Sequence, residues 1–140
     1  MSGEPLGIAQ LQDKLAGSPC IAFMDLTVLS ADPVTGTVVM RAPFRPEFER
    51  MRGTGQWHGG PIAAVIDTVG DYALVMLVGR GLPTINFRVD YLRPAVNTAL
   101  VVTARIVRNG KSVGLVDIEV ANEAGALVAV GRACYATGTG

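Results

Sequence analysis

The stretch from Pro61 to Val78 is built mainly of Ala, Val, Ile and Leu, has no further proline, and is bounded by glycines at 59, 60, 79 and 81. Nothing in it breaks a helix before the closing glycines, so the pattern predicts one long helix over about residues 60–78, spanning about 27 Å at ~1.5 Å per residue. An apolar rod of that length needs an equally apolar surface to lie against. In a chain of 140 residues, which fits one domain over 1–140, that surface has to come from the flanking segments.

Those segments read as strands. Beyond Pro83 the period changes to two: Ile85, Phe87, Val89 and Tyr91 alternate with Asn86, Arg88 and Asp90, the pattern of a half-buried strand. Residues 98–107 are rich in Val, Leu and Ile, and Asn109-Gly110 supplies a two-residue hairpin turn into 112–120. A turn at 122–125 leads to a last strand over 126–136. Ahead of the long helix, 22–29 and 36–42 form a hairpin punctuated by Asp32-Pro33 and Gly36. Leu6, Ala9, Leu11 and Leu15 mark a short helix over about 6–16, stopped by Gly17-Ser18-Pro19. Residues 43–57, with Pro46, Gly53, Gly55 and several charges, read as an exposed loop with scope to move. The order helix, two strands, long helix, four strands makes an α+β domain with an antiparallel sheet covered by one helix.

Composition narrows the function. Twelve basic and twelve acidic residues cancel, and no basic run occurs, which excludes a nucleic-acid binder. Charged residues are 17% and apolar ones 49% of the chain, against ~25% charged in ordinary soluble domains. The apolar excess points to a subunit interface and hence a homo-oligomer. Cys20 and Cys134, with no CxxC or HxxxH spacing, suggest neither a disulfide framework nor a metal. Residues 1–19 lack a secretion signal, and the longest unbroken apolar run, about 72–78, is far short of a membrane span, so the expectation is a cytoplasmic protein with no membrane partner.

Chemistry concentrates at the start of the long helix. His58, the only histidine, precedes Gly59-Gly60-Pro61, where a helix N-terminus exposes free N–H groups and the positive end of its dipole. A carbonyl oxygen gaining negative charge finds stabilisation there. Asp67, two turns further on, can serve as base or nucleophile. Its neighbours at three and four residues are Ala63, Ala64, Gly70, Asp71 and Leu74, mostly small groups that admit a ligand or a partner chain. Two readings of this stripe stand at this point: a site, or the wet face of an amphipathic helix carrying Asp67, Thr68 and Asp71. If Asp71 shares a poorly solvated cleft with Asp67, their repulsion raises the proton affinity of one. His58 itself reads as an anchor that bonds a nearby backbone group. No GxSxG, GxGxxG or Walker pattern occurs, so a serine hydrolase, a nicotinamide cofactor and ATP are not indicated. Gly59 and Asp67 stand eight residues apart, about 12 Å along the axis. One helix cannot bring both to one carbonyl, whereas two copies running antiparallel across a two-fold axis can.

His58-Gly59-Gly60, the acid nine positions after the histidine, a strand ending Tyr91-Leu92-Arg93-Pro94-Ala95 and the hairpin Asn109-Gly110-Lys111 together resemble the hotdog-fold acyl-CoA thioesterases of the PaaI-like, 4-hydroxybenzoyl-CoA thioesterase type, over about Phe23 to Cys134. The resemblance implies a curved antiparallel β-sheet wrapped around one long central helix, assembled into dimers and commonly tetramers. It also implies hydrolysis of an acyl-CoA thioester with no metal and no cofactor beyond the coenzyme A of the substrate. By position, the Gly59 N–H polarises the thioester carbonyl, Asp67 of the neighbouring chain activates water or attacks directly, and Thr84 stands near the attacking water, with Asn86 as a weaker candidate. Arg52 occupies a place where relatives carry Asn or Gln. Either Gln56 takes over that role, or Arg52 itself contacts the carbonyl or a phosphate.

His58 and Gly60 frame the substrate, and Arg93, Arg108 and Lys111 are candidates for the coenzyme A phosphates or else solvated strand ends. Trp57 and Met51 pack against the acyl chain or against the sheet. Two other functions fit the same scaffold. One is dehydration or hydration of a 3-hydroxyacyl thioester, recruiting His58. The other is non-catalytic acyl-CoA binding, which would call for an appended partner module.

Overall fold

The computed structural model describes residues 3–138. Two short helices, α1 (Ile8–Leu15) and α2 (Pro19–Met24), precede strands β1 (Thr27–Asp32) and β2 (Thr37–Ala42); the long helix α3 (Gly59–Val78) follows, then β3 (Thr84–Tyr91), β4 (Leu100–Asn109), β5 (Val113–Asn122) and β6 (Leu127–Ala136). The six strands form one antiparallel sheet in the order β1-β2-β4-β5-β6-β3. This is the architecture the resemblance implied, a sheet around a single central helix.

The core lies between α3 and the inner face of the sheet. Val65, Ile66, Val69, Leu74 and Met76 of the helix are fully or almost fully buried with Val38, Met40, Val102, Ala104, Val116, Ile118 and Tyr135 of the strands. Each of the Val, Ile, Leu and Met side chains contributes roughly 1.5–3 kcal/mol by leaving water. Gly70 sets the spacing: a methyl group there would collide with the Tyr135 hydroxyl and with Ile118, so the helix seats directly on β5 and β6. Gly79, with φ of 87°, ends α3 in the left-handed conformation that glycine adopts without strain. Taken whole, α3 is long and apolar enough to cross a membrane, a property that counting unbroken apolar runs missed because Asp67, Thr68 and Asp71 interrupt them. Most of it is wrapped by the sheet.

Several expectations are corrected. Gly17-Ser18-Pro19 stops α1 but also starts α2, because Ser18 caps the new helix by accepting the Ile21 N–H and Pro19 occupies its first turn. The first strand therefore begins at Thr27 rather than 22. At the β4–β5 connection neither Asn109 nor Gly110 has positive φ, which a two-residue Asn-Gly turn requires. Residues 110–112 bridge the strands instead, with Gly110 N–H donating to the Val113 carbonyl at 3.0 Å. The segment before α3 is tied down: the Glu49 carboxylate accepts the N–H groups of Gly53 and Gly55 at 3.1 and 2.6 Å, and Arg50 N–H bonds the Gln56 carbonyl. Finally, β3 forms where expected, yet Ile85, Phe87 and Tyr91 stay exposed, because β3 is an outer strand paired only with β6.

Candidate active site

His58 is the N-cap residue of α3, and its imidazole makes no capping bond. The anchor is the backbone instead, since His58 N–H donates to the Phe48 carbonyl and Trp57 N–H to the Ala95 carbonyl. These two bonds hold the turn that delivers Gly59 as the first helical residue, with a free N–H at the helix mouth. The Gly59 carbonyl is fixed as well, accepting the Tyr91 hydroxyl at 2.6 Å. A cleft of about 500 Å³ opens beside this turn, with Gly59, Gln56, Arg50, Tyr91 and Arg93 in its wall. A smaller apolar cavity of about 250 Å³ lies on the other side of the mouth, where Gly60 and Ala64 meet Phe23, Met24 and Phe48.

Two turns along α3, Asp67 is half-buried. Its Oδ1 accepts the Thr84 hydroxyl at 2.9 Å, and its backbone carbonyl accepts the Tyr135 hydroxyl at 2.7 Å. The residue expected near the attacking water thus bonds directly to the candidate base. Burial first, then the Asp67 and Asp71 charges, push the Tyr135 phenol far above its ordinary range, so it remains a donor. Asp71, one turn further, is pushed up to about 7, chiefly by burial and to a lesser degree by the Asp67 charge, while a hydrogen bond from the Leu82 N–H works against the rise. The repulsion anticipated between the two carboxyls thus acts in the expected direction, as a smaller cause than burial.

The stripe around Asp67 is neither a plain wet face nor uniformly open. Thr68 is buried and bonds back to the Ala64 carbonyl at 2.8 Å, while Gly70 and Leu74 face the sheet. Ala63, Ala64, Asp67 and Asp71 stay partly accessible. They form the open strip.

Other sequence candidates fall elsewhere. Arg52 is exposed, whereas Gln56 lines the cleft beside Gly59, so of the two it is Gln56 that stands at the helix mouth. Trp57 packs into the core, 2% exposed, its indole N–H on the Thr98 carbonyl at 2.8 Å and its ring against Phe44 and Phe48, and it borders the cleft at Gly59 as well. Met51 points to solvent. Asn86 pairs with Cys134 in the sheet register, on the face opposite to Thr84 and Tyr135, so it points away from Asp67. Arg93 lines the cleft at Gly59, but Arg108 and Lys111 line a separate depression with Leu115 and Cys134. One protomer therefore does not gather the three cations. Among the described residues of one protomer His58 pairs with no carboxylate. No cluster of His, Cys, Asp and Glu that could hold a metal occurs among the described residues.

Sequence reasoning missed Arg50 and the role of Tyr91. The second was within reach, since Tyr91 closes the very strand segment that carried the resemblance.

Residues 54–129 match the model of the thioesterase superfamily. The chain belongs to that superfamily. It is 31% identical to acyl-coenzyme A thioesterase 13 of Homo sapiens over 111 residues, covering 76% of each chain. A solved member of the superfamily superimposes with a TM-score of 0.86 at 29% identity, over 92% of this chain and 96% of its own. The PaaI protein of the E. coli phenylacetic acid degradation operon shares the fold, with a TM-score of 0.78 at 23% identity over 94% and 95% of the two chains. The fold is therefore the hotdog fold of this superfamily, and the protein is a thioesterase, an enzyme of thioester hydrolysis.

Proposed function

We propose that this thioesterase hydrolyses acyl-CoA thioesters to the free acid and coenzyme A, in a site shared by two copies of the chain. The observation that carries the reading is the Thr84 hydroxyl on the Asp67 carboxylate at 2.9 Å, on the accessible strip of α3. Thr84 occupies one carboxylate oxygen and orients the other, which is what a base needs to take a proton from water. The kinship to acyl-coenzyme A thioesterase 13 supports the substrate class.

Gly59 of the partner subunit supplies the second half. Its N–H polarises the thioester carbonyl as water attacks and Asp67 takes the water's proton. When the tetrahedral intermediate collapses the C–S bond breaks, and Asp67 returns the proton to the departing thiolate. An antiparallel pairing of two protomers along β3 is supported by the exposed apolar side chains of that outer strand, and it brings the helix mouth of one chain towards the carboxylate of the other. Arg93, beside Gly59, is placed to meet a phosphate of the coenzyme, and Gln56 to meet the carbonyl.

The test is thiol release from a panel of acyl-CoAs. Asp67→Ala is expected to lower kcat at least about 1,000-fold, and release no faster from the wild type than from this variant would overturn the assignment. Single-turnover hydrolysis in ¹⁸O water separates the two roles of Asp67: label in the product acid and none in Asp67 marks a base, whereas label in the Asp67 carboxyl marks a nucleophile.

A further inference from the structure

Helix α3 carries a second carboxyl beside that of Asp67, and the α3–β3 linker bonds to it. Asp71 stands one turn past Asp67 and accepts the Leu82 N–H at 3.3 Å; two residues later, Thr84 bonds Asp67. The end of the linker and the first residue of β3 are thus fastened to α3 by consecutive turns of one helix. We propose that Asp71 is a positioning residue: it holds the linker so that Thr84 meets Asp67, and by gaining or losing a proton it sets how strongly Asp67 acts as a base. This rests on the role of Asp67 proposed above.

The surroundings of Asp71 support it. Asp67 and Tyr72 flank it on α3, Tyr135 faces the pair from β6, Thr84 reaches in from β3 and the linker offers the Leu82 N–H. Arg80, on the same linker, is committed to the carbonyls of Thr137 and Gly138 at 3.0 Å each. Among the described residues Asp71 makes no ion pair. Its carboxyl, pushed up to about 7 mainly by burial, changes charge near neutrality. Ionised, it adds a negative charge one turn from Asp67, which favours transfer of a proton from water towards that carboxylate. Protonated, it withdraws that effect.

Two variants separate the functions, because Asp71→Asn keeps an oxygen for the Leu82 N–H but cannot ionise, whereas Asp71→Ala loses both. The wild-type kcat–pH profile is expected to rise through an inflection near pH 7. In Asp71→Asn that inflection disappears, with kcat about fivefold lower at pH 8.5 and little changed at pH 6. Asp71→Ala should lose kcat at both pH values. An Asp71→Asn profile of the same shape as the wild type overturns the proposal. Carboxyl ¹³C NMR reads Asp71 without activity: a midpoint near 7 that falls in Asp67→Asn supports the coupling, and a midpoint near 4 in the wild type refutes it. Full activity in Asp67→Asn would instead refute the role of Asp67, leaving the Asp71 titration separately measurable.

Discussion

The two edges of the sheet are finished in different ways. At β1 the edge is short and interrupted by an irregularity between Val28 and Ser30. Gln12 of α1 fastens its start, accepting the Val28 N–H at 2.8 Å and donating to the Leu26 carbonyl at 2.9 Å. These are devices that keep another chain from adding to a sheet. At β3 the edge runs over eight residues with Ile85, Phe87 and Tyr91 exposed and no helix laid over it. One edge is closed and the other left available, and the catalytic candidates Asp67 and Thr84 sit on the available side.

The largest expected effect breaks that contrast at β3. Phe87→Lys should turn the proposed dimer into a monomer in analytical ultracentrifugation and lower kcat/KM by at least about 100-fold, while Leu29→Lys on the β1 edge leaves mass and activity unchanged. A Phe87→Lys protein that stays dimeric and active would mean that β3 is not the shared edge. A smaller effect distinguishes the charge of the two sides, since the β3 side carries the half-buried Asp71 and the β1 side the neutral Gln12. The folded protein holds the Asp71 proton more tightly than the unfolded chain does. Its contribution to stability is therefore fully present below about pH 4 and is lost as pH rises through about 7. The loss should be about 2 kcal/mol after discounting for partial solvent access, measured as urea midpoints at pH 5 and 8, and Asp71→Asn should flatten it. Smallest is Gln12→Ala, which strands two backbone groups that water can partly reach and should cost about 1 kcal/mol with no change in oligomeric state.

How much of this was legible depended on how local the signal was. The long helix, its glycine ends and the order of the strands follow from periodicity and punctuation along the chain, and these carried through almost residue for residue. Thr84 was named from family position alone, as a residue near the attacking water, and its bond to Asp67 was out of reach because the two meet through a linker whose end is held by the Asp71–Leu82 bond. For Trp57 the sequence left acyl chain and sheet as alternatives; the indole N–H finds its partner in the Thr98 carbonyl, across a loop that sequence separation hides, while the residue also borders the cleft. Asn86 was lost to the register shift between Thr84 and Asn86, since one extra residue in a strand reverses which side chains face the helix. Arg108 and Lys111 are near Arg93 in sequence but lie on different strand ends, and the sheet order keeps them apart.

Because α3 is complete at Val78 while the last strand that wraps it ends at Ala136, the order of synthesis works against the order of burial. A ribosome releases a membrane-length apolar rod well before most of its cover exists, and contacts this distant along the chain close slowly. The newborn polypeptide accordingly carries a bare apolar helix until its final hairpin emerges and wraps around.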